Sequence, residues 1–464
     1  MIQSSVAALV QWVGLTLGRR DPADDDQRRF VSVARGASSA LATRGLMLLT
    51  SFLMVPLAIG YLGAERYGAW ATILSTITWL SVADFGLANG LTHALSDALG
   101  RGRSDLARRY VATALWLLAG IALLCTLLFA ALWVRLDWAG LLNVAAADRE
   151  EIGRAVGLAV LLAFASFPLS VLDRIYASHG EGALANAWSA AAGVLSLLGV
   201  VAATRTEGGL VAIVAAVSGG RFAILLANAV WLFAVHRPEL RPSASAVAPE
   251  TTRELLHTGG LFFLVQIAGL ILFNTDNIII ARVLGAGSVT PYAVTWTVFT
   301  VPSMAIAFAS PYLWPAYTEA LARNHTEWVR RTFRISMLVS VGSAAALAFP
   351  LVILGGPIIE LWAGKAAVPS PALLLWMGLW SLVNAGLSPL ACLLNAARQV
   401  KGQAVYGLAT AAVNVVLSIV WARRFGSAGV IAATVVAYIV CTVIPCSIES
   451  ARLLALLRRA PERR

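Results

Sequence analysis

Six ionisable residues stand inside long apolar runs of this 464-residue chain: Arg44, Asp84, Asp173, Arg174, Arg221 and Asp276. A charge at the centre of a membrane helix costs about 2.5–3.5 kcal/mol on insertion scales, so such a side chain turns toward a cavity, a partner or the interface. Arg221 lies halfway along its run, where the interface is hardest to reach. Asp84 lies two thirds of the way along a run over Tyr67–Thr92. Asp276, between Asn274 and Asn277, lies toward the far end of another. Arg44, Asp173 and Arg174 sit near run ends, where snorkelling or topology fixing also accounts for them. The set suits a polar, partly cationic cavity, with Asn274 beside its acidic member. Interhelical ion pairs and hydrogen bonds are the structural alternative for Asp84, Arg221 and Asp276.

Nothing else in the sequence speaks for catalysis. There is no G-x-S-x-G, Walker loop or H-E-x-x-H, and the five histidines are scattered near helix ends and connections. His179-Gly180-Glu181-Gly182 reads as a glycine-broken polar turn. The four cysteines lie inside apolar runs without a C-x-x-C or His-containing ligand pattern, so neither a disulfide nor a metal site is expected. Without an ATP-binding loop or a cofactor motif, active transport would draw on a proton or sodium gradient, the membrane potential or the substrate's own gradient.

These residues are set in a chain that water cannot solvate. Hydrophobic residues make up 59% and charged residues 13%, and mean hydropathy is +0.78; a soluble domain carries about 25% charged residues. The net charge of +11 does not imply nucleic acid, because the basic residues form no single patch interleaved with aromatics. They lie between apolar runs and favour alternate connections, which places both termini in the cytoplasm.

The runs themselves predict about twelve transmembrane helices. Six extend from Leu41–Leu62 to Gly209–Val235, and six from Gly259–Ala281 to Gly429–Ile448. The segment Val6–Leu17 is too short to cross about 30 Å of hydrocarbon. The expected organisation is a cytoplasmic arm over 1–36, an N-terminal lobe over 37–235, and a Pro-rich linker over 236–254. A C-terminal lobe over 255–450 and a basic tail over 451–464 follow. Because six is even, the lobes could be related by an axis along the membrane normal.

Several stretches resemble a known family. Arg44, Pro56-Leu57, Tyr61-Leu62-Gly63-Ala64-Glu65-Arg66-Tyr67-Gly68-Ala69-Trp70 and Asp84-Phe85-Gly86-Leu87-Ala88-Asn89-Gly90-Leu91, followed by the basic Gly100-Arg101-Gly102-Arg103 loop, are similar to the opening of Wzx-type polysaccharide flippases. That family belongs to the multidrug/oligosaccharidyl-lipid/polysaccharide exporter superfamily. Asn274-Thr275-Asp276-Asn277-Ile278-Ile279-Ile280, ending in Leu284-Gly285, resembles the opening of its second lobe. The resemblance implies an all-α, two-lobed, V-shaped, alternating-access transporter in a bacterial inner membrane. It implies that undecaprenyl-diphosphate-linked oligosaccharide is flipped to the periplasmic leaflet for O-antigen or exopolysaccharide synthesis, beside polymerase machinery. On that reading Arg44 and Arg221 face the head group, Asp84 and Asp276 position those arginines or polarise the lobe interface, and Arg174 and Asn274 are further substrate-binding candidates. A cation-coupled multidrug exporter of the same superfamily would need an acidic ion or drug site within one lobe. A membrane polysaccharide polymerase or ligase would need a large outer loop with several Arg or His, and the longest outer connection, Arg135–Ala155, is short and mixed in charge.

Overall fold

The computed structural model describes residues 25–133, 149–307, 325–397 and 399–459, together with 135, 136, 138, 140, 317, 318, 320 and 321. The segment Val6–Leu17 of the expected arm therefore lies outside the described residues. No strand occurs among those described. The helices are α1 Asp25–Leu80, α2 Leu87–Gly100, α3 Ser104–Trp133, α4 Arg149–Ser166, α5 Val171–Ser178, α6 Gly182–Ala203, α7 Gly209–Val214 and α8 Gly220–Trp231. After them come α9 Pro249–Asn274, α10 Asp276–Leu284, α11 Val289–Ala307, α12 Thr326–Ala363, α13 Pro371–Ala396, α14 Val400–Tyr438 and α15 Ile444–Arg459.

Seven helices among the described residues are long and apolar enough to cross a membrane, and α4 with the helix Pro168–Ser178, bent by 46°, makes an eighth. Two of these are double passages. The apolar part of α1, Gly45–Leu80, has 36 residues, about 54 Å at 1.5 Å per residue, and is interrupted at Gly63 (φ 75°). The stretch Val405–Leu456 has 52 residues and is interrupted at Gly426 (φ 65°). Each half is close to one hydrocarbon thickness. The remaining predicted spans, Gly259–Ala281 and Tyr292–Tyr317, correspond to α9 with α10 and to α11.

Besides the predicted span Val156–Ala177, which is the bent pair just described, two predicted spans differ from the sequence expectation. The run Tyr67–Thr92 is not one helix: α1 stops at Leu80, a short 3-10 turn covers Ser81–Asp84, and Phe85 (φ 49°) and Gly86 (φ 72°) turn the chain into α2. Hydropathy has no term for positive φ, which is why the break is invisible to it. The seventh span is also broken, at Thr275, so that Asp276 opens a new helix instead of riding inside an old one.

The chain folds into two compact units. The first contains the residues up to Met54, Ser81–Leu136 and Gly157–Phe263. Its core is the i, i+4 stripe Leu87, Leu91, Leu95 of α2 against Tyr110, Val111, Ala114 and Leu118 of α3 and Val171, Leu172, Ile175 and Tyr176 of α5. Lipid is as apolar as these side chains, so close packing holds the helices together more than the hydrophobic effect does. Gly86 illustrates this: a Cβ there would lie 2.2 Å from the carbonyl oxygen of Gly259. The connection after α8 is bound to α3 by Arg108 Nε donating to the Arg241 carbonyl (3.2 Å), and the start of α9 by the Thr113 and Thr251 hydroxyls, 2.8 Å apart.

The second unit contains Val55–Leu80, Asp137–Val156 and Leu264–Arg464. Helices α12 and α13 pair along their length, while α12 turns Leu338, Phe349, Ile353 and Leu361 outward, as lipid allows. Gly68 again permits close approach of two backbones, since a Cβ would meet the Ala286 carbonyl oxygen at 1.8 Å.

Candidate functional site

Within the first unit, three helices enclose a cavity of about 340 Å³, and each contributes at helical spacing. From α1 come Met47, Thr50, Ser51 and Met54; from α6, Trp188, Ser189, Ala192, Gly193 and Ser196; from the α7–α8 rod, Val217, Arg221, Ile224, Leu225 and Asn228. Asp173 of α5 completes the wall. Asp173 and Arg221 are exposed residues facing this space.

A π-turn over Ala215–Gly219 joins α7 to α8 just before Arg221. Such a turn shifts the register of the following side chains and frees a carbonyl from the ladder. The Ser196 hydroxyl donates to the carbonyl of Val217 inside that turn at 3.1 Å. Gly220 lies beside it, its Cβ position 3.4 Å from Ser196, the distance of an ordinary packing contact. On the far side of the lining, Tyr176 donates to Asn228 Oδ1 at 2.5 Å, leaving the amide hydrogens of the buried Asn228 for other partners.

An aromatic stack leads away from the cavity. Trp188 packs on Trp231 (centroids 5.8 Å), and Trp231 stacks on His236 (4.6 Å, 13° between planes). His236 Nε2 lies 3.0 Å from Glu181 Oε2, and Arg237 donates to Glu181 Oε1. Burial alone would raise the Glu181 carboxyl; the hydrogen bonds and charges of His236 and Arg237 outweigh it and hold the group below its ordinary value.

The second unit carries a different polar group, enclosed among helices. Asp276 is buried at the first turn of α10, where the helix dipole favours a carboxylate. Its Oδ2 accepts from Tyr292, and its Oδ1 is buried without a hydrogen-bond partner. Thr434 of α14 stands beside it. The Thr434 hydroxyl is 3.1 Å from Asn414 Oδ1, and Ser418 donates to the same oxygen at 2.9 Å. All three α14 residues are buried. No group of three or more His, Cys, Asp or Glu able to hold a metal ion occurs among the described residues.

The six residues singled out in the sequence thus separate. Arg221 lines the cavity, and Arg174, adjacent in sequence to Asp173, is half-buried with Nε buried and without a hydrogen-bond partner. Asp84 lies in the break before α2, where Oδ1 accepts from the Gly86 amide at 2.9 Å. Asp276 belongs to the enclosed group, and Asn274 ends α9. The Arg44 side chain lies outside the described residues. Hydropathy passes over Trp188, Asn228, Ser189 and Thr50. Their signal is present as small and polar residues recurring every three or four positions along otherwise apolar helices.

Residues 33–321, more than half of the chain, match the family model described as polysaccharide biosynthesis protein. The chain belongs to the polysaccharide biosynthesis protein family. The matched region of this family member includes every cavity residue and Asp276, and ends before α12. No curated protein matches it in sequence. Among solved structures, the family member is similar to an inward-facing multidrug resistance MATE family transporter of the MOP superfamily. Identity there is 13%, coverage is 89% of this chain and 95% of the other, and the TM-score is 0.76. It is also similar to a MATE protein solved in complex with MaD3S (14% identity, 96% and 99% coverage, TM-score 0.65). A third likeness is to a MOP superfamily transporter from Pyrococcus furiosus, described as having a binding pocket of reversed polarity (14%, 96% and 99%, 0.65). At these identities what is shared is the fold, that of an all-helical, multi-pass membrane protein.

Proposed function

We propose that this protein is a flippase that moves polyprenyl-diphosphate-linked oligosaccharide from the cytoplasmic to the periplasmic leaflet of a bacterial inner membrane, with both termini cytoplasmic. The observation that carries the proposal is an arginine-bearing polar cavity among membrane-spanning helices in a member of the polysaccharide biosynthesis family. A diphosphate and its sugars cannot enter hydrocarbon unsupported. Arg221 offers guanidinium pairing to the phosphates, while the polyprenyl tail stays in lipid. A surface polysaccharide polymerase is the natural consumer of the product.

Coupling is assigned to Asp276. A buried carboxylate oxygen without a partner is stable only when it carries a proton or faces a cation. The neighbouring oxygens of Asn414, Ser418 and Thr434 suit a hard ion such as sodium as well as a proton. On this reading a proton or sodium gradient drives the cycle.

The test is genetic. Arg221→Ala should abolish surface polysaccharide at unchanged protein level, with Arg221→Lys giving partial function because a point charge replaces a planar fork. Normal polysaccharide in Arg221→Ala would sink the assignment. A drug exporter is the second reading, favoured by the fold shared with MATE transporters. Drug resistance on overexpression, without a polysaccharide defect on deletion, would select it.

A further inference from the structure

The wall of the first-unit cavity is not a phosphate site alone. Phosphate oxygens accept hydrogen bonds and call for donors on every side. Here donors and acceptors alternate. Arg221 and the Asn228 amide donate; the Asp173 carboxylate accepts; and Ser196 and Thr50, whose hydroxyl hydrogens go to the carbonyls of Val217 and Met47 (3.1 and 2.9 Å), present lone pairs. Sugar hydroxyls both donate and accept, so they match the part of the wall made by Asp173, Asn228, Ser196 and Thr50, which leaves Arg221 for a phosphate. Trp188 adds a flat apolar surface held by its packing on Trp231. The C–H face of a pyranose ring covers such a surface without leaving polar groups unpaired. At about 340 Å³ the cavity is near the lower end of ligand pockets, small for a whole oligosaccharide.

We infer that this cavity is a subsite for one neutral pyranose, stacked on Trp188 and hydrogen-bonded by Asp173 and Asn228, and that it reads the sugar next to the diphosphate. The inference rests on the flippase reading for the lipid attached to that sugar. The carboxylate of Asp173 sets the preference: with Arg221 engaged by the diphosphate, an acidic sugar would bring a second negative charge against Asp173, whereas a neutral ring gains a charge-assisted hydrogen bond.

The test uses the full chain in nanodiscs with three lipids: undecaprenyl diphosphate, the same lipid carrying one galactose, and the same lipid carrying one galacturonate. Saturation-transfer NMR with a panel of neutral methyl hexosides runs in parallel. In the wild type, galactose should tighten binding about tenfold over the bare diphosphate lipid and galacturonate should not. Trp188→Ala should lose the tenfold gain of galactose over bare lipid, and Trp188→Phe should keep most of it, which separates stacking from a folding defect. Asp173→Asn should admit galacturonate. An equal gain from galactose in wild type and Trp188→Ala overturns the subsite. Binding of the bare lipid with no gain from galactose and no hexoside signal overturns the subsite alone. Hexoside signals that Trp188→Ala abolishes, with none of the lipids bound, overturn the flippase reading and leave the subsite standing. Absence of all binding overturns both.

Discussion

Tyr292 donates its hydroxyl hydrogen to one oxygen of Asp276 and leaves the other oxygen buried without a partner. A carboxylate satisfied on one side only is poised to take up a proton or a cation on the other. Asp276→Asn should therefore abolish the dependence of flux on an imposed proton or sodium gradient while the protein remains folded. Flux in proteoliposomes, with each gradient imposed in turn, measures this. Retained gradient dependence in Asp276→Asn would remove Asp276 from coupling.

Asp84 accepts from the Gly86 amide across the break before α2. Asp84→Ala should lower stability by about 1 kcal/mol, the usual net worth of one hydrogen bond, and Asp84→Asn should restore it, because the amide oxygen accepts the same bond. Melting of the detergent-solubilised protein reports the stability. Transport that fails in a stable Asp84→Asn would show that the charge itself is needed in the lumen.

Gly63 and Gly86 both have positive φ, but only Gly86 lies against another backbone. Gly63→Ala should cost about 1–3 kcal/mol, because φ 75° with ψ 172° is a region that essentially only glycine occupies. Gly86→Ala should cost about 1–2 kcal/mol for its left-handed conformation and about 1–3 kcal/mol more for overpacking, the larger total because its Cβ would meet backbone at 2.2 Å. The order of the two melting temperatures decides the matter; equal losses would mean that Gly86 and Gly259 do not touch.

Glu181, held below its ordinary carboxyl value of 4.5 by His236 and Arg237, contributes stability that depends on pH in one direction. A depressed carboxyl releases its proton more readily in the folded chain than in the unfolded one. Its contribution is complete above the unfolded value and disappears as pH falls through the folded value. Wild-type melting temperature should drop over that acidic window more steeply than that of Glu181→Gln. Parallel curves for the two proteins would contradict the pairing.

The membrane character, the spans and the cavity arginine are legible in the sequence because each rests on composition or period, properties a linear chain displays directly. Arg221 is conspicuous through the cost of its charge in an apolar run. Asp173 is not: its position near a run end matches snorkelling, and only the placement of α5 beside α6 and α8 turns it into a cavity wall. Asp84 misleads for another reason. Phe85 and Gly86 reverse the chain through positive φ, and no apolar pattern records a dihedral angle. Trp188 is hidden by its type, since tryptophans near span ends are ordinary membrane anchors, and what distinguishes this one is a ring far along the chain, Trp231.

That ring has an optical consequence. A protonated imidazole stacked on an indole is an efficient quencher of its excited state, and Trp231 lies flat against His236 at 4.6 Å. The fluorescence of Trp231 therefore reports whether the two rings remain stacked. Because Trp231 also touches a ring of the cavity wall, occupancy of the cavity becomes readable as emitted light, taken as the difference from Trp231→Phe among the chain's 15 tryptophans, with no label attached.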